Sequence, residues 1–178
     1  MWGGRISAGA LVMLTMLLFG LPLPWLAAAS VAAMVHEAGH YIAILLLGGG
    51  GAGIRFYATS AKMCLPQMGR CRELVCTLAG PVFGLVLAAL YPWLPRTALC
   101  ALGQSAFNLL PVYPLDGGRS MHCILQMILP PPKAERVANV IELSVRCAVV
   151  CGAIVATFFL NFGVLPLIVA GIMVIPRK

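Results

Sequence analysis

Charged residues are scarce in this sequence. Asp, Glu, Lys and Arg together make up 10% of its 178 residues, and only five residues are acidic. Hydrophobic residues make up 61%, and the mean hydropathy is +0.99. These values are typical of a polytopic membrane protein rather than of a soluble domain. We therefore predict an all-α protein of the cell membrane, with residues 1–178 forming a single domain.

The sequence also lacks a basic patch and any Cys-x-x-Cys pair. Its net charge is +7, but the basic residues occupy short segments between apolar runs, so they indicate membrane topology and no nucleic-acid partner. The seven cysteines are predicted to be mostly reduced core residues, because a thiol in an apolar helix acts as a small hydrophobe. Cys64 and Cys71, which flank a short loop, are the exception to this prediction.

Six apolar runs divide the chain. We predict transmembrane helices over residues 6–21, 25–47, 73–93, 97–110, 137–160 and 163–175. A signal peptide is the alternative for the first run, and it is disfavoured because no convincing cleavage site precedes the second. With six spans, all the basic residues of the loops and termini except Arg96 fall on the side of the two termini. The positive-inside rule makes that side cytoplasmic.

A glycine-rich stretch, residues 48–53, ends the second span. The next segment, residues 54–63, contains β-prone residues in partial alternation, which predicts a short strand or hairpin. A plain polar connector is the alternative. An edge strand at this place could take an unwound substrate peptide by strand addition.

The second span contains the sequence His-Glu-Ala-Gly-His at residues 36–40, in a run that otherwise has no ionisable residue. On a helix, His36 and His40 share a face, and Glu37 borders that face. Two imidazoles at this spacing can hold one zinc ion, and the carboxylate can take a proton from zinc-bound water. The alternative is a chance pair of histidines at a helix contact. Buried polar groups are costly in lipid, which favours a functional cluster.

A catalytic zinc ion usually has three protein ligands, so a third must come from another segment. The fourth span breaks at residues 108–119, where two prolines and two glycines require contact with protein or a wet cavity. Asp116 is the only acidic residue of that segment, and His122 is the competing ligand. In the fifth span, Glu142 and Arg146 are four residues apart, and we predict a structural ion pair.

The motif at residues 36–40 and the later Asn-Leu-Leu-Pro-Val-Tyr-Pro-Leu-Asp-Gly-Gly-Arg of residues 108–119 resemble those of the site-2 protease family of intramembrane zinc metalloproteases. The resemblance implies that one zinc ion is bound by two histidines and an aspartate and that a glutamate is the catalytic base. Carried over to this chain, the ligands are His36, His40 and Asp116, and the base is Glu37.

The resemblance also bears on substrate positioning. In the second motif it singles out Asn108, Pro111 and Gly117 as positioning residues. It extends to the Ala-Gly-Pro sequence of residues 79–81, but family members commonly have asparagine three residues after that proline, where this chain has Gly84. The polar contact of that asparagine is therefore missing or moved, for example to Asn108.

The implied activity is cleavage of a membrane-spanning or membrane-tethered protein in or near its transmembrane segment, as in regulated intramembrane proteolysis. The implied partners are this substrate, the lipid bilayer and a regulatory membrane protein. The short six-span form is most similar to the bacterial branch that processes a membrane-tethered sigma-factor precursor during sporulation. Two alternatives remain: a zinc-binding or transport protein of the membrane that has no need of Glu37, and an inactive partner that holds a membrane substrate.

Overall fold

The computed structural model describes residues 22–47, 69–159 and 163–174. These residues form six helices: α1 (Leu23–Leu47), α2 (Arg70–Ala88), α3 (Pro95–Asn108), α4 (Asp116–Ile128), α5 (Pro131–Phe158) and α6 (Leu165–Val174). Within those three ranges there is no strand, so this part of the chain is all-α, as predicted. The predicted β-like segment, residues 54–63, and the first predicted span, residues 6–21, lie outside the described residues.

Three of these helices are long and apolar enough to cross a membrane, namely α1, α2 and α5. They overlap the second, third and fifth predicted spans. The helices α3, α4 and α6 have 14, 13 and 10 residues, fewer than the roughly 20 that a perpendicular membrane span needs. The number of six spans and the cytoplasmic side of both termini stay predictions.

The boundaries of α2 and α5 differ from the predicted ones. The helix α2, which overlaps the predicted span of residues 73–93, begins earlier, at Arg70, and ends at Ala88. Turns then lead to Pro95 at the start of α3. The helix α5 begins at Pro131, well before the predicted residue 137. Proline is tolerated in a first turn because the N–H groups there have no partner within the helix.

The helix α4 was not predicted. Its first turn contains Gly117 and Gly118, which favour a break when only the sequence is considered. In the structure both glycines are buried, and a Cβ on Gly118 would lie 2.6 Å from the carbonyl oxygen of Val112. The glycines therefore allow the preceding segment to lie directly on the first turn of the helix.

Small residues bring α1, α2 and α3 close together. Ala32 of α1, Leu87 of α2 and Ala101 of α3 form one buried cluster. A Cβ on Gly39 would lie 2.7 Å from the carbonyl oxygen of Ala79, so the backbones of α1 and α2 approach closely there. Such contacts between small residues are the usual way in which helices pack within a membrane. They fix the face of α1 on which the histidines lie.

The described cysteines are free thiols. Cys76 and Cys123 are buried, as predicted. Cys147 and Cys151 are exposed, and for them the prediction of a core position is wrong. Cys71, which that prediction excepted, is exposed as well. Lipid can cover an exposed thiol on an apolar helix as well as protein can, so the burial of a cysteine does not follow from apolar neighbours. Cys64 lies outside the described residues.

Candidate metal centre

His36 and His40 lie one turn apart on α1, as their spacing predicts. Their Nε2 atoms are 3.2 Å apart, and their rings meet edge to face with centroids 4.9 Å apart. The side chain of His36 is almost fully buried, and that of His40 is 14% exposed. The face of α1 that carries both rings is turned toward the neighbouring helices.

Asp116 joins the histidines from the first turn of α4. Its Oδ2 atom lies 3.0 Å from His36 Nε2 and 3.2 Å from His40 Nε2. The three residues are the one group of at least three His, Cys, Asp or Glu side chains in the described part of the chain whose geometry could hold a metal ion. The structure therefore brings together the three predicted ligands, although 76 residues separate Asp116 from the nearer histidine.

The triangle of donor atoms fits a tetrahedral metal ion. Its three edges are 3.0, 3.2 and 3.2 Å. Zinc binds nitrogen and oxygen at roughly 2.0–2.1 Å, so donor atoms of a tetrahedral site lie roughly 3.3 Å apart. Two imidazoles and one carboxylate are also a donor set of catalytic zinc sites, in which the fourth position stays open. The residues present thus fit zinc in both chemistry and spacing.

A backbone carbonyl of α2 orients the ring of His40. The Nδ1–H group of His40 donates a hydrogen bond of 2.8 Å to the carbonyl oxygen of Cys76. Because Nδ1 then carries the proton, Nε2 presents its lone pair to the triangle, as a metal ligand must. His36 has no such support in the described part of the chain, where its buried Nδ1 atom lacks a hydrogen-bond partner.

Glu37 follows His36 on α1, and its side chain is exposed. It is not a member of the donor triangle. Its role as the proton acceptor at this centre stays a proposal.

The three predicted positioning residues lie in or next to the segment between α3 and α4. Asn108 is buried at the last position of α3, and Pro111 is half-buried in the connection. Gly117 is buried in the first turn of α4, where a Cβ would overlap the backbone of Leu109. The structure places all three near Asp116 along the chain, and their action on a substrate stays a proposal.

Ser105 lies opposite Gly84. A Cβ on Gly84 would overlap the hydroxyl oxygen of Ser105, which is fully buried on α3. The space over Gly84, where the motif commonly has asparagine, therefore contains a polar group from the neighbouring helix. Asn108, the residue suggested for this role by the sequence, does not appear among the nearest neighbours of that space.

His122 is the competing ligand in the sequence, and it takes no part in the triangle. Its Nε2 atom lies 3.0 Å from the carboxylate of Glu142 on α5. The same carboxylate accepts a hydrogen bond of 3.1 Å from Arg146, which confirms the predicted pair four residues apart.

A groove of about 300 Å³ opens beside Gly117, the residue that follows Asp116. Its walls come from α2, α4 and the connection before α4, and they are mainly apolar: Leu78, Leu109, Gly117, Ser120, Met121, Ile124 and Leu125. Ser120 lies one turn after Asp116 on α4. Its buried hydroxyl has no hydrogen-bond partner in the described part of the chain.

The fold is similar to that of a solved structure, the site-2 protease from Methanocaldococcus jannaschii. The similarity covers 96% of this chain and 88% of that chain, with a TM-score of 0.61 and 19% sequence identity. At this identity the likeness establishes the fold. No family model matches the chain. No curated protein matches it either.

Three contributions to the site were not predicted from the sequence. No sequence pattern predicts that the carbonyl of Cys76 accepts a hydrogen bond from His40, because every residue has a backbone carbonyl. The burial of Ser105 was also missed, because a lone serine in an apolar helix has no pattern of its own. The approach of the His40 ring to Gly80 likewise follows only from the packing of α1 on α2.

Proposed function

We propose that the protein is an intramembrane zinc metalloprotease. The donor triangle of His36, His40 and Asp116 is the observation that carries this proposal, because its spacing and chemistry fit a catalytic zinc ion. Glu37 next to the triangle favours hydrolysis over metal storage or transport, since only hydrolysis needs a base there. The membrane-crossing length of α1 and α2 supports cleavage within or near the bilayer.

The chain's own groups have distinct tasks in this reaction. The histidines and Asp116 would hold the zinc ion, which when bound polarises a peptide carbonyl and makes water more acidic. Glu37 takes a proton from the attacking water, whose oxygen forms the new bond to the carbonyl carbon. The same carboxyl group then delivers that proton to the leaving nitrogen as the C–N bond breaks.

The substrate that this site suits is a membrane-spanning or membrane-tethered protein. The mainly apolar groove beside Gly117 could bind apolar side chains of an unwound transmembrane segment. A transmembrane helix must unwind before cleavage, because its carbonyl groups are otherwise engaged in the helix. A regulatory membrane protein, the six-span topology and the relation to the sporulation branch are further parts of the proposal, and they rest on the sequence.

The test is zinc content together with cleavage of a single-span protein by the purified protein. Glu37→Gln should bind zinc with the wild-type stoichiometry and lose cleavage, because the amide cannot accept the proton. The matched control is Glu135→Gln, which removes the charge of an exposed glutamate on a different helix, α5, and should cleave normally. Cleavage retained by Glu37→Gln would contradict the proposal, as would a wild-type protein that binds no zinc.

A further inference from the structure

We propose that Arg146 and Glu142 of α5 are positioning residues for the metal centre. Arg146 holds the backbone of the segment that leads into Asp116, and Glu142 holds Arg146. This inference rests on the proposed function, because it assigns to a neighbouring helix the placement of the third zinc ligand.

The contact to that segment is made by the guanidinium group of Arg146. Its Nη2 atom donates a hydrogen bond of 3.3 Å to the carbonyl oxygen of Tyr113 and one of 3.1 Å to Glu142. The other oxygen of Glu142 accepts a hydrogen bond of 3.0 Å from His122 of α4. The rings of His122 and Tyr113 meet edge to face at 6.5 Å. Tyr113 is therefore held at its carbonyl and at its ring by parts of one network.

From Tyr113 the chain reaches Asp116 through only two residues. The N–H group of Leu115 donates to the carbonyl of Val112 at 2.9 Å, which closes a tight turn around this stretch. Gly118 allows that turn to lie against the first turn of α4. The turn is thus confined between α4 on one side and Arg146 on the other. A displacement of Tyr113 has little room to be absorbed before it reaches Asp116.

Glu142 has an unusual place on α5. The buried residues of this helix are otherwise alanines: Ala134, Ala138 and Ala153. Alanines define the distance between two helices but resist sliding or rotation only weakly. The hydrogen bonds that Glu142 accepts from His122 and Arg146 are directional. An ionisable residue in a membrane helix is also costly enough to indicate a function. Glu142 therefore fixes how α5 is rotated, and so where Arg146 points.

Metal binding is sensitive to this kind of support. A productive site tolerates displacements of only about 0.5 Å, and loss of an outer hydrogen-bond partner costs roughly 10–100-fold in metal affinity or activity. An alternative role is simple docking of α5, in which these residues stabilise the fold without affecting the metal. The two roles differ in whether the geometry of the bound metal changes.

The experiment compares Arg146→Met, Arg146→Lys and Glu142→Gln with wild type and with Glu135→Gln, an exposed charge change on the same helix. Three quantities are measured on the full-length protein in detergent. They are the rate of zinc loss to a chelator, the visible absorption spectrum after substitution with cobalt, and the unfolding midpoint of the metal-free protein.

We expect Arg146→Met to lose zinc roughly tenfold faster than wild type and to shift the cobalt spectrum. Glu142→Gln should have a smaller effect of the same kind, because its amide oxygen still accepts a hydrogen bond from Arg146. Zinc loss from Arg146→Lys should be slower than from Arg146→Met but faster than from wild type, since the lysine amine can reach only one of the two acceptors well. Arg146→Met should also lower the unfolding midpoint, because the buried carboxylate of Glu142 loses one of its two partners. The Glu135→Gln control should stay close to wild type in all three quantities.

Wild-type zinc loss and an unchanged cobalt spectrum in Glu142→Gln and both Arg146 variants would overturn the positioning role. A lower unfolding midpoint with an unchanged cobalt spectrum would also overturn it, in favour of simple docking. A wild-type protein that binds neither zinc nor cobalt would overturn the proposed function together with this inference. Failure of the inference alone would leave wild-type zinc binding and cleavage intact.

Discussion

Gly80 of α2 lies directly against the imidazole of His40 on α1. A Cβ on Gly80 would lie 2.6 Å from Cε1 and 2.7 Å from Cδ2 of that ring, distances too short for any real side chain. One turn earlier on α2, the carbonyl of Cys76 accepts the Nδ1–H of the same ring. One face of α2 thus provides the space for this histidine and selects its tautomer.

Gly80→Ala should therefore impair zinc binding by displacing the ring of His40. We expect at least a tenfold loss of zinc affinity, measured by competition with a chelating dye, because the ring cannot move without breaking its bond to Cys76. Gly103→Ala on α3 is the control, since a Cβ there meets nothing within 4 Å. Equal zinc affinity for Gly80→Ala and Gly103→Ala would show that the ring has more freedom than its neighbours indicate.

Asp116→Asn should reduce zinc affinity more than any variant outside the triangle. The amide removes a negative charge from the donor set, so the loss should exceed the roughly 10–100-fold typical of outer partners. His122→Asn should still bind one zinc ion per chain, because His122 contacts Glu142 rather than the triangle. Zinc titration of the two variants measures this difference. A larger loss for His122→Asn would restore that residue as the third ligand.

Gly84→Ala should destabilise the contact between α2 and α3 through its overlap with the Ser105 hydroxyl. Overpacking of this kind costs about 1–3 kcal/mol. The double variant Gly84→Ala/Ser105→Ala should recover most of that loss, because the hydroxyl is the atom in the way. Ser105→Ala alone should be close to neutral, since the buried hydroxyl has no partner in the described residues. Denaturant unfolding in detergent measures all three, and additive effects would contradict the overlap.

Ile124→Trp should obstruct the groove beside Gly117, because Ile124 lines it. If the groove binds substrate, KM for a single-span protein should rise several-fold while zinc affinity stays at the wild-type value. Ile154→Trp on α5 is the matched control, because Ile124 and Ile154 are each 41% exposed and only Ile124 lines the groove. The two tryptophan variants are compared by steady-state cleavage kinetics. An equal change in KM for both would exclude a role of the groove.

The apolar runs were sufficient to locate the long helices. The three helices that can cross a membrane overlap predicted spans, because length and hydropathy are properties of a single segment. The wrong helix boundaries lie at residues that can either interrupt a helix or begin one. Gly117 and Gly118 favour a break in an isolated segment but form the first turn of α4 when the preceding turn packs on them. Pro131 likewise marks the beginning of α5.

The pair of histidines was predictable from the sequence, because the helical repeat alone places residues four apart on one face. Tertiary packing decided the rest of the centre. It brings Asp116 within 3.2 Å of both rings across a long stretch of chain. It directs His122 away, to Glu142. Local spacing follows from the backbone repeat, whereas contacts between distant segments depend on how closely small residues such as Gly80 allow the helices to pack.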